Sequence, residues 1–278
     1  MRLPTPMPTL PAWRENPRKA TGRGGWEADL APLIDTPTGR LWRAHSDAIN
    51  GEIVERWLPR GGGRALKTDL FDEAMGEGLD ALLASRDLDV VAIDVAPSVL
   101  RAATTAHGTM RIVAADVRRL PFADASFDVV VSNSTLDHFA TRGEIADALR
   151  GLHRTMKSGA RLVITMDNLR HPGVALRNAL PHRVLRRLGL VDYPAGATVG
   201  PRGLARMLLD ARFEVIESAA ILHCPRALAV RRARTVERGE SSTARARLLR
   251  RLARWEALGR LPTRYLTGHY VAMLARKP

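Results

Sequence analysis

The chain has 278 residues, with 43 Lys plus Arg against 29 Asp plus Glu, a formal net charge of +14 and one cysteine. Hydrophobic residues at 45% and charged residues at 26% match a folded protein, so wholesale disorder is excluded and one large, embellished domain is expected. Cys224 alone permits neither an internal disulfide nor a cysteine zinc site, no apolar run approaches the ~18 residues of a spanning helix, and the N-terminus carries Pro4, Pro6, Pro8 and Pro11 where a signal peptide needs an apolar stretch; a soluble cytoplasmic protein is expected.

Residues 1–30 are rich in Pro, Gly and Arg, lack periodicity, and read as a flexible basic arm. Residues 31–60 turn helical. Leu41, His45, Ile49, Ile53 and Trp57 recur every four positions, one face of an amphipathic cap that Gly61-Gly62-Gly63 ends. Short apolar runs then alternate with helical stretches. The runs are Ala65–Phe71, Val90–Ile93, Ile112–Ala115, Val129–Val131 and Leu162–Thr165, with Ser98–Ala106 and Glu144–Met156 as crossover helices. Apolar, β-branched runs of this length argue a parallel sheet covered on both faces.

After Asn168 the rhythm breaks. Residues 169–200 read as an insertion of two helical pieces separated at Pro181. Helix Gly203–Ala211 and strand Phe213–Leu222 resume the pattern. Residues 226–260 interrupt it again with 11 Arg against 3 acids, and Ala244, Leu248, Leu252 and Trp255 mark an apolar stripe behind Ser241 or Ser242 as N-cap. The chain closes on Tyr265–Ala275, a final strand. Residues 61–278 thus form one α/β domain with two insertions.

Chemistry concentrates at the strand ends, where open α/β sheets bind ligands. The first strand runs into Lys67-Thr68-Asp69, the second ends in Asp94-Val95, the third in Asp116-Val117, and the fourth in Ser132-Asn133. An acid after the second strand can accept both ribose hydroxyls of a nucleoside. Four successive strands deliver polar groups to one edge.

The stretches IDVAPSVLRAA, AADVRRLPFADASFDVVVSNSTLDHF and LHRTMKSGARLVITMDN resemble the class I S-adenosylmethionine-dependent methyltransferases, in their broad small-molecule, type 11-like branch. The resemblance implies a Rossmann-like doubly wound, mostly parallel seven-stranded sheet with S-adenosyl-L-methionine as cofactor. It places Asp94 on the ribose, with Val95 beside it, and Asp116 at the adenine amino group, with Val117 beside it. Asn133 is a further contact after the fourth strand. The first loop departs from the family: aligning Asp69 with the family's acid puts Phe71, Glu73 and Met75 where glycines belong. It reads as a remodelled loop in which Thr68, Asp69 and Glu73 bind the methionine end by side chains, Phe71 lying within it. The alternative is a site that no longer binds.

His138, just past the fourth strand, is the candidate base for a hydroxyl or amine acceptor, or else a packed or capping histidine. Candidate acceptor contacts are Trp42 and His45 of the cap, Asp167 and Asn168 at the end of the fifth strand, and Tyr193 of the insertion. His and acid spacing suggests no metal. The acceptor is expected to be a small molecule: a natural product, sugar or lipid-linked intermediate. Charge is polarised, with −7 over residues 65–147 and +18 over residues 148–278, so a nucleic-acid methyltransferase is the main alternative. It is disfavoured because only 13 aromatics are available to stack bases and the cofactor half is acidic. A cofactor-binding protein without methyl transfer is the other alternative. A solvated Arg-rich helix at 243–258 is favoured over a membrane-surface contact, and a homodimer through the insertions stays open.

Overall fold

The computed structural model describes residues 39–58, 60–107, 110–187, 196–239 and 241–278. The basic arm, the first residues of the cap and Tyr193 lie outside them. Seven strands form one sheet: β1 (Gly63–Lys67), β2 (Leu88–Asp94), β3 (Arg111–Ala114), β4 (Phe127–Asn133), β5 (Met156–Asp167), β6 (Glu214–Ile221) and β7 (Tyr270–Arg276). Their spatial order is β3-β2-β1-β4-β5-β7-β6. The first five strands pair in parallel, and β7 runs antiparallel to both β5 and β6. This is the expected Rossmann-like, mostly parallel sheet. Strand order reverses between β1 and β4, which opens a crevice at their carboxyl ends.

The helices are α1 (Arg40–Trp57), α2 (Phe71–Met75), α3 (Asp80–Ala84), α4 (Pro97–Ala106), α5 (Arg142–Thr155), α6 (Pro172–Ala179), α7 (His182–Arg187), α8 (Pro201–Asp210), α9 (Arg226–Glu237), α10 (Ser242–Ala253) and α11 (Arg264–Thr267). Alternation along the strands divides the core into two faces. Leu66, Val130, Leu162 and Ile164 pack with Ile145, Leu149 and Leu152 of α5 and with Leu204 and Leu208 of α8. Ala65, Val129, Val131 and Val163 turn the other way, against Ile49, Ile53 and Trp57 of α1 and Leu83 of α3. Each fully buried aliphatic side chain of this kind contributes ~1.5–3 kcal/mol. The four-residue stripe of the cap is therefore a core-forming face, and it seats α1 over the sheet edge where the crevice lies. No helix among the described residues is long and apolar enough to cross a membrane.

Three expected boundaries move. β1 ends at Lys67 and Phe71 opens α2, because the buried Lys67 ammonium draws the chain into a turn that brings Glu73 back to it. Tyr265 sits on α11, and β7 begins at Tyr270. Gly268, between α11 and β7, passes close to β6: a Cβ on it would stand 2.6 Å from that of Ala220. Ser241 caps α10 by accepting from Ala244 N–H, and Leu248 and Leu252 are buried, but Trp255 lies on a following 3₁₀ stretch and is exposed.

Candidate active site

One cavity of about 180 Å³ occupies the crevice. Its floor is the carboxyl ends of β1, β2, β4 and β5 together with the segment after β3, and α1 roofs it with Arg43, Ser46 and Asn50. The strand-end residues Thr68, Asp69, Phe71, Asp94, Val95, Asp116, Val117 and Asn133 all line it, as do His138 and Asp167.

The β1 turn is held by charge. Lys67 and Glu73 are fully buried, with Nζ 2.7 Å from Glu73 Oε2, 2.7 Å from the Asp69 carbonyl oxygen and 3.6 Å from Asp69 Oδ2. Burial favours the neutral amine, but Asp69 and Glu73 outweigh it and keep Lys67 protonated. Burial also pushes the Asp69 carboxyl up to about 7 against the pull of Lys67, with Asp72, Glu73 and Asp94 pushing the same way. Thr68 and Thr135 hydroxyls lie 2.8 Å apart, and Thr135 donates to Asp69 Oδ2 at 3.3 Å. Thr68 also donates to Ser132 at 2.9 Å, tying the β1 turn to β4.

Asp94 accepts Leu70 N–H on one oxygen at 3.0 Å and Ala96 N–H on the other at 2.9 Å. Burial raises its pKa; the Ala96, Leu70 and Val95 amides oppose that. Both oxygens of Asp116 are engaged by Arg118, which also pairs with Glu144 at 2.7 Å and stacks over the Phe139 ring. Asn133 is different. It is buried, and neither its Oδ1 nor its Nδ2 has a hydrogen-bond partner, which leaves an amide on the cavity wall for a ligand to satisfy.

At the β5 end, Asp167 Oδ2 meets Arg177 Nη2 at 2.5 Å and its Oδ1 meets His269 Nε2 at 3.2 Å. Its backbone N–H donates to Asp137 at 2.7 Å, and Ser134 donates to the same carboxyl. Among the described residues no group of three or more His, Cys, Asp or Glu is arranged to hold a metal ion.

Residues 71–164 match the family model described as a methyltransferase domain, a segment that runs from α2 into β5 and takes in Asp94, Asp116 and Asn133 but not Thr68, Asp69 or Asp167. Over that segment, about a third of the chain, the chain is similar to a methyltransferase domain. Among curated proteins, the ubiquinone/menaquinone biosynthesis C-methyltransferase UbiE of Azotobacter vinelandii is 35% identical over 126 residues, 45% of this chain and 47% of that protein. The demethylmenaquinone methyltransferase of Paenarthrobacter aurescens is 33% identical over 169 residues, 58% of this chain and 60% of that one. The matches thus span about half the length of these curated relatives. Among solved structures, the [4+2]-cyclase SpnF superposes with a TM-score of 0.59 at 18% identity, covering 92% of this chain and 96% of that one, a likeness of fold.

Several expected contacts lie away from this cavity. Glu73 is sealed beneath the β1 turn by Lys67, so its part is to hold the loop. His45 is buried with Nε2 3.7 Å from Cys224 Sγ, and burial lowers its pKa to about 4. Trp42 packs beside it, and Arg226 lies over the Trp42 ring. Asn168 is fully buried and donates to the carbonyls of Tyr265 and Gly268, a strand-end clamp. Sequence reasoning did not find Arg43, Ser46, Asn50, Asp137, Arg177, Arg226 and Tyr270, all of which line the cavity. The one available signal was the arginines of the two insertions, which the bulk basicity of the C-terminal half obscured.

Proposed function

We propose that the chain is an S-adenosylmethionine-dependent methyltransferase acting on a small-molecule acceptor at O, N or C. The observation that carries this reading is the convergence of Asp69, Asp94, Asp116 and Asn133 on one cavity at the reversal of strand order, with the Asn133 amide buried and unpartnered. A nucleoside fits this donor set. The Asp94 carboxylate accepts from the Leu70, Ala96 and Val95 amides and keeps acceptor capacity for a ribose hydroxyl. Val95 and Val117 offer apolar contact to a base, while Asp116 presents the Arg118 guanidinium beside it. Thr68 and Asp69 suit a cationic amino-acid end, and Asn133 supplies both a donor and an acceptor.

When bound, S-adenosylmethionine supplies an electrophilic methyl group on a sulfonium. The chain aligns the acceptor's lone pair with that carbon, so that the new bond forms as the sulfur–carbon bond breaks and S-adenosylhomocysteine remains. An O–H or N–H acceptor also loses a proton. His138, on the cavity wall, takes it in this reading. A small acceptor accords with the cavity's size and with the names of the relatives, which are quinone-pathway methyltransferases. A second reading, cofactor binding without transfer, draws on the first loop, where Phe71 and Glu73 stand in place of the family's glycines.

Calorimetric titration with S-adenosylmethionine and S-adenosylhomocysteine tests the reading. Both are expected to bind, and Asp94→Ala weakens them at least ~10-fold, the loss of a charged hydrogen-bond acceptor. Unchanged affinity in that variant refutes the ribose role, and failure of both nucleosides to bind refutes the cofactor. Conversion of bound donor to S-adenosylhomocysteine across an acceptor panel separates transfer from binding alone.

A further inference from the structure

The remodelled loop after β1 leaves the amino-acid end of the proposed cofactor short of partners. Where glycines would present bare backbone, this loop spends amides on the protein itself. Leu70 N–H donates to Asp94, Gly76 N–H to the Asp72 carbonyl, Gly78 N–H to Asp47 and Leu79 N–H to Glu73. Those four amides are taken. The space beneath the loop is filled as well, since a Cβ on Gly78 would stand 2.3 Å from Glu73 Oε1.

Asparagine amides instead stand on two facing walls of the cavity. Asn133 belongs to the same alternating set as Val129 and Val131, whose side chains pack toward α1, and it lies in register with Thr165 of β5. Asn50 approaches from α1, one turn beyond Ser46, and all four polar residues line the cavity. Both asparagines are more than nine-tenths buried, Asn133 at 4% exposure and Asn50 at 7%. Neither amide atom of Asn133 has a hydrogen-bond partner. Asn50 Oδ1 has none either, and its Nδ2 reaches only Ser46 Oγ, at 3.5 Å. Turning the Asn50 amide over exchanges its oxygen and nitrogen but still leaves one of them unsatisfied. A buried amide in that condition is costly until a ligand bonds to it. Strand order indicates which ligand group arrives. Asp94 of β2 is placed on the ribose, and the sheet continues from β2 across β1 to β4, where Asn133 stands. Two strand spacings, ~10 Å, separate those strands, and the homocysteine arm of the donor extends along that line.

We infer that Asn50 and Asn133 clamp the amino-acid end of S-adenosylmethionine between α1 and the sheet, so that the cap helix takes the place of the missing glycine loop. An amino-acid end carries an ammonium and a carboxylate, and a primary amide offers a carbonyl oxygen to the first and N–H groups to the second. Asp69 stands beside them at the end of β1 as the charged partner of the ammonium. The inference rests on the methyltransferase reading, which supplies the cofactor.

Calorimetric titration of the full chain compares S-adenosylhomocysteine with 5′-methylthioadenosine, which shares the nucleoside and the sulfur but lacks the amino-acid end. The wild type is expected to bind S-adenosylhomocysteine more tightly, by ~10-fold or more. Asn50→Leu, close in volume and free of polar side-chain atoms, weakens S-adenosylhomocysteine ~10-fold and leaves 5′-methylthioadenosine at its wild-type affinity. Asn133→Leu does the same. The double variant loses less than the product of the two single fold-changes, because both amides grip one group. Asn50→Ser keeps a hydroxyl, gives an intermediate loss, and carries the test should the leucine variant fail to fold. Equal affinity of the wild type for the two ligands, or folded Asn50 variants with unchanged S-adenosylhomocysteine affinity, would overturn the inference. So would an equal loss for both ligands, the mark of a residue that only supports the nucleoside pocket. If neither ligand binds the wild type, the methyltransferase reading fails and takes the clamp with it; if both bind and only the Asn50 comparison fails, that reading stands without the clamp.

Discussion

At the level of single residues, the β1 turn shows how a buried charge organises a binding loop. Lys67 is enclosed with Glu73 and lies beside Asp69, so removing it leaves carboxylates unpaired in the interior. Lys67→Met is expected to cost ~3–5 kcal/mol in chemical denaturation, and the double variant Lys67→Met/Glu73→Leu recovers part of that loss because the orphaned charge goes too. A double variant no more stable than the single one would show that the pair does not act as a unit. Asp69 makes a second prediction. Its carboxyl ionises near about 7 in the folded chain but at an ordinary, lower value when unfolded. Its contribution to stability is therefore present below the unfolded value and is lost as pH rises through about 7. Binding of the cationic methyl donor has the opposite sign and strengthens over the same rise, because the ionised carboxylate favours it. Calorimetry across that range reads the binding trend and thermal melts read the stability trend; Asp69→Asn flattens both. A pH-independent affinity in the wild type would remove Asp69 from the site. Position two residues past a strand end was enough to nominate Asp69, whereas the burial of Glu73 was hidden, because nothing local distinguishes a carboxylate facing a ligand from one facing a buried lysine.

At the level of elements, α1 does two jobs with one periodicity. Its four-residue stripe buries Ile49, Ile53 and Trp57 against β1, β4 and β5, and its neighbouring polar positions Arg43, Ser46 and Asn50 roof the cavity. Trp57 is 2% exposed, so Trp57→Ala leaves a large void and is expected to cost ~3–5 kcal/mol. The Trp57 indole N–H has no hydrogen-bond partner, so Trp57→Phe sacrifices no bond and costs less. Equal losses in urea melts for the two variants would contradict this. Helices α4, α5 and α8 were visible as helical stretches; the structure adds their starts, with Pro97 and Pro201 in first turns and Thr141 with Glu144 closing a capping box before α5. The ends of β1 and β7 were less visible. Apolar periodicity continues through Leu70 and Phe71 and through Tyr265 and Leu266, and tertiary pairing partners decide where hydrogen bonding to the sheet stops.

Over the whole molecule, the +14 charge separates into two unlike parts. Within the domain, arginines such as Arg118 and Arg177 pair with carboxylates and help to build the site. Along α9 and α10, Arg231, Arg232, Arg234, Arg245, Arg247, Arg250 and Arg251 are exposed. Exposed arginines attract phosphates without specificity, and that attraction falls steeply with salt. Fluorescence titration with a short single-stranded RNA is therefore expected to show weak binding at low ionic strength that is lost by about 0.15 M salt and leaves S-adenosylhomocysteine affinity unchanged. Tight, salt-resistant RNA binding would bring the nucleic-acid reading forward. Local information, namely strand periodicity and the acid that follows each apolar run, was sufficient for the class of fold and for the strand-end half of the cavity, since the end of a parallel strand points into the crevice where the sheet reverses. The rest of the cavity lining was not legible in the same way. Arg43, Arg177, Arg226 and Tyr270 lie far apart in the chain and in segments without a shared pattern, and only the packing of α1, α6 and α9 around the end of β5 brings these side chains to one cavity.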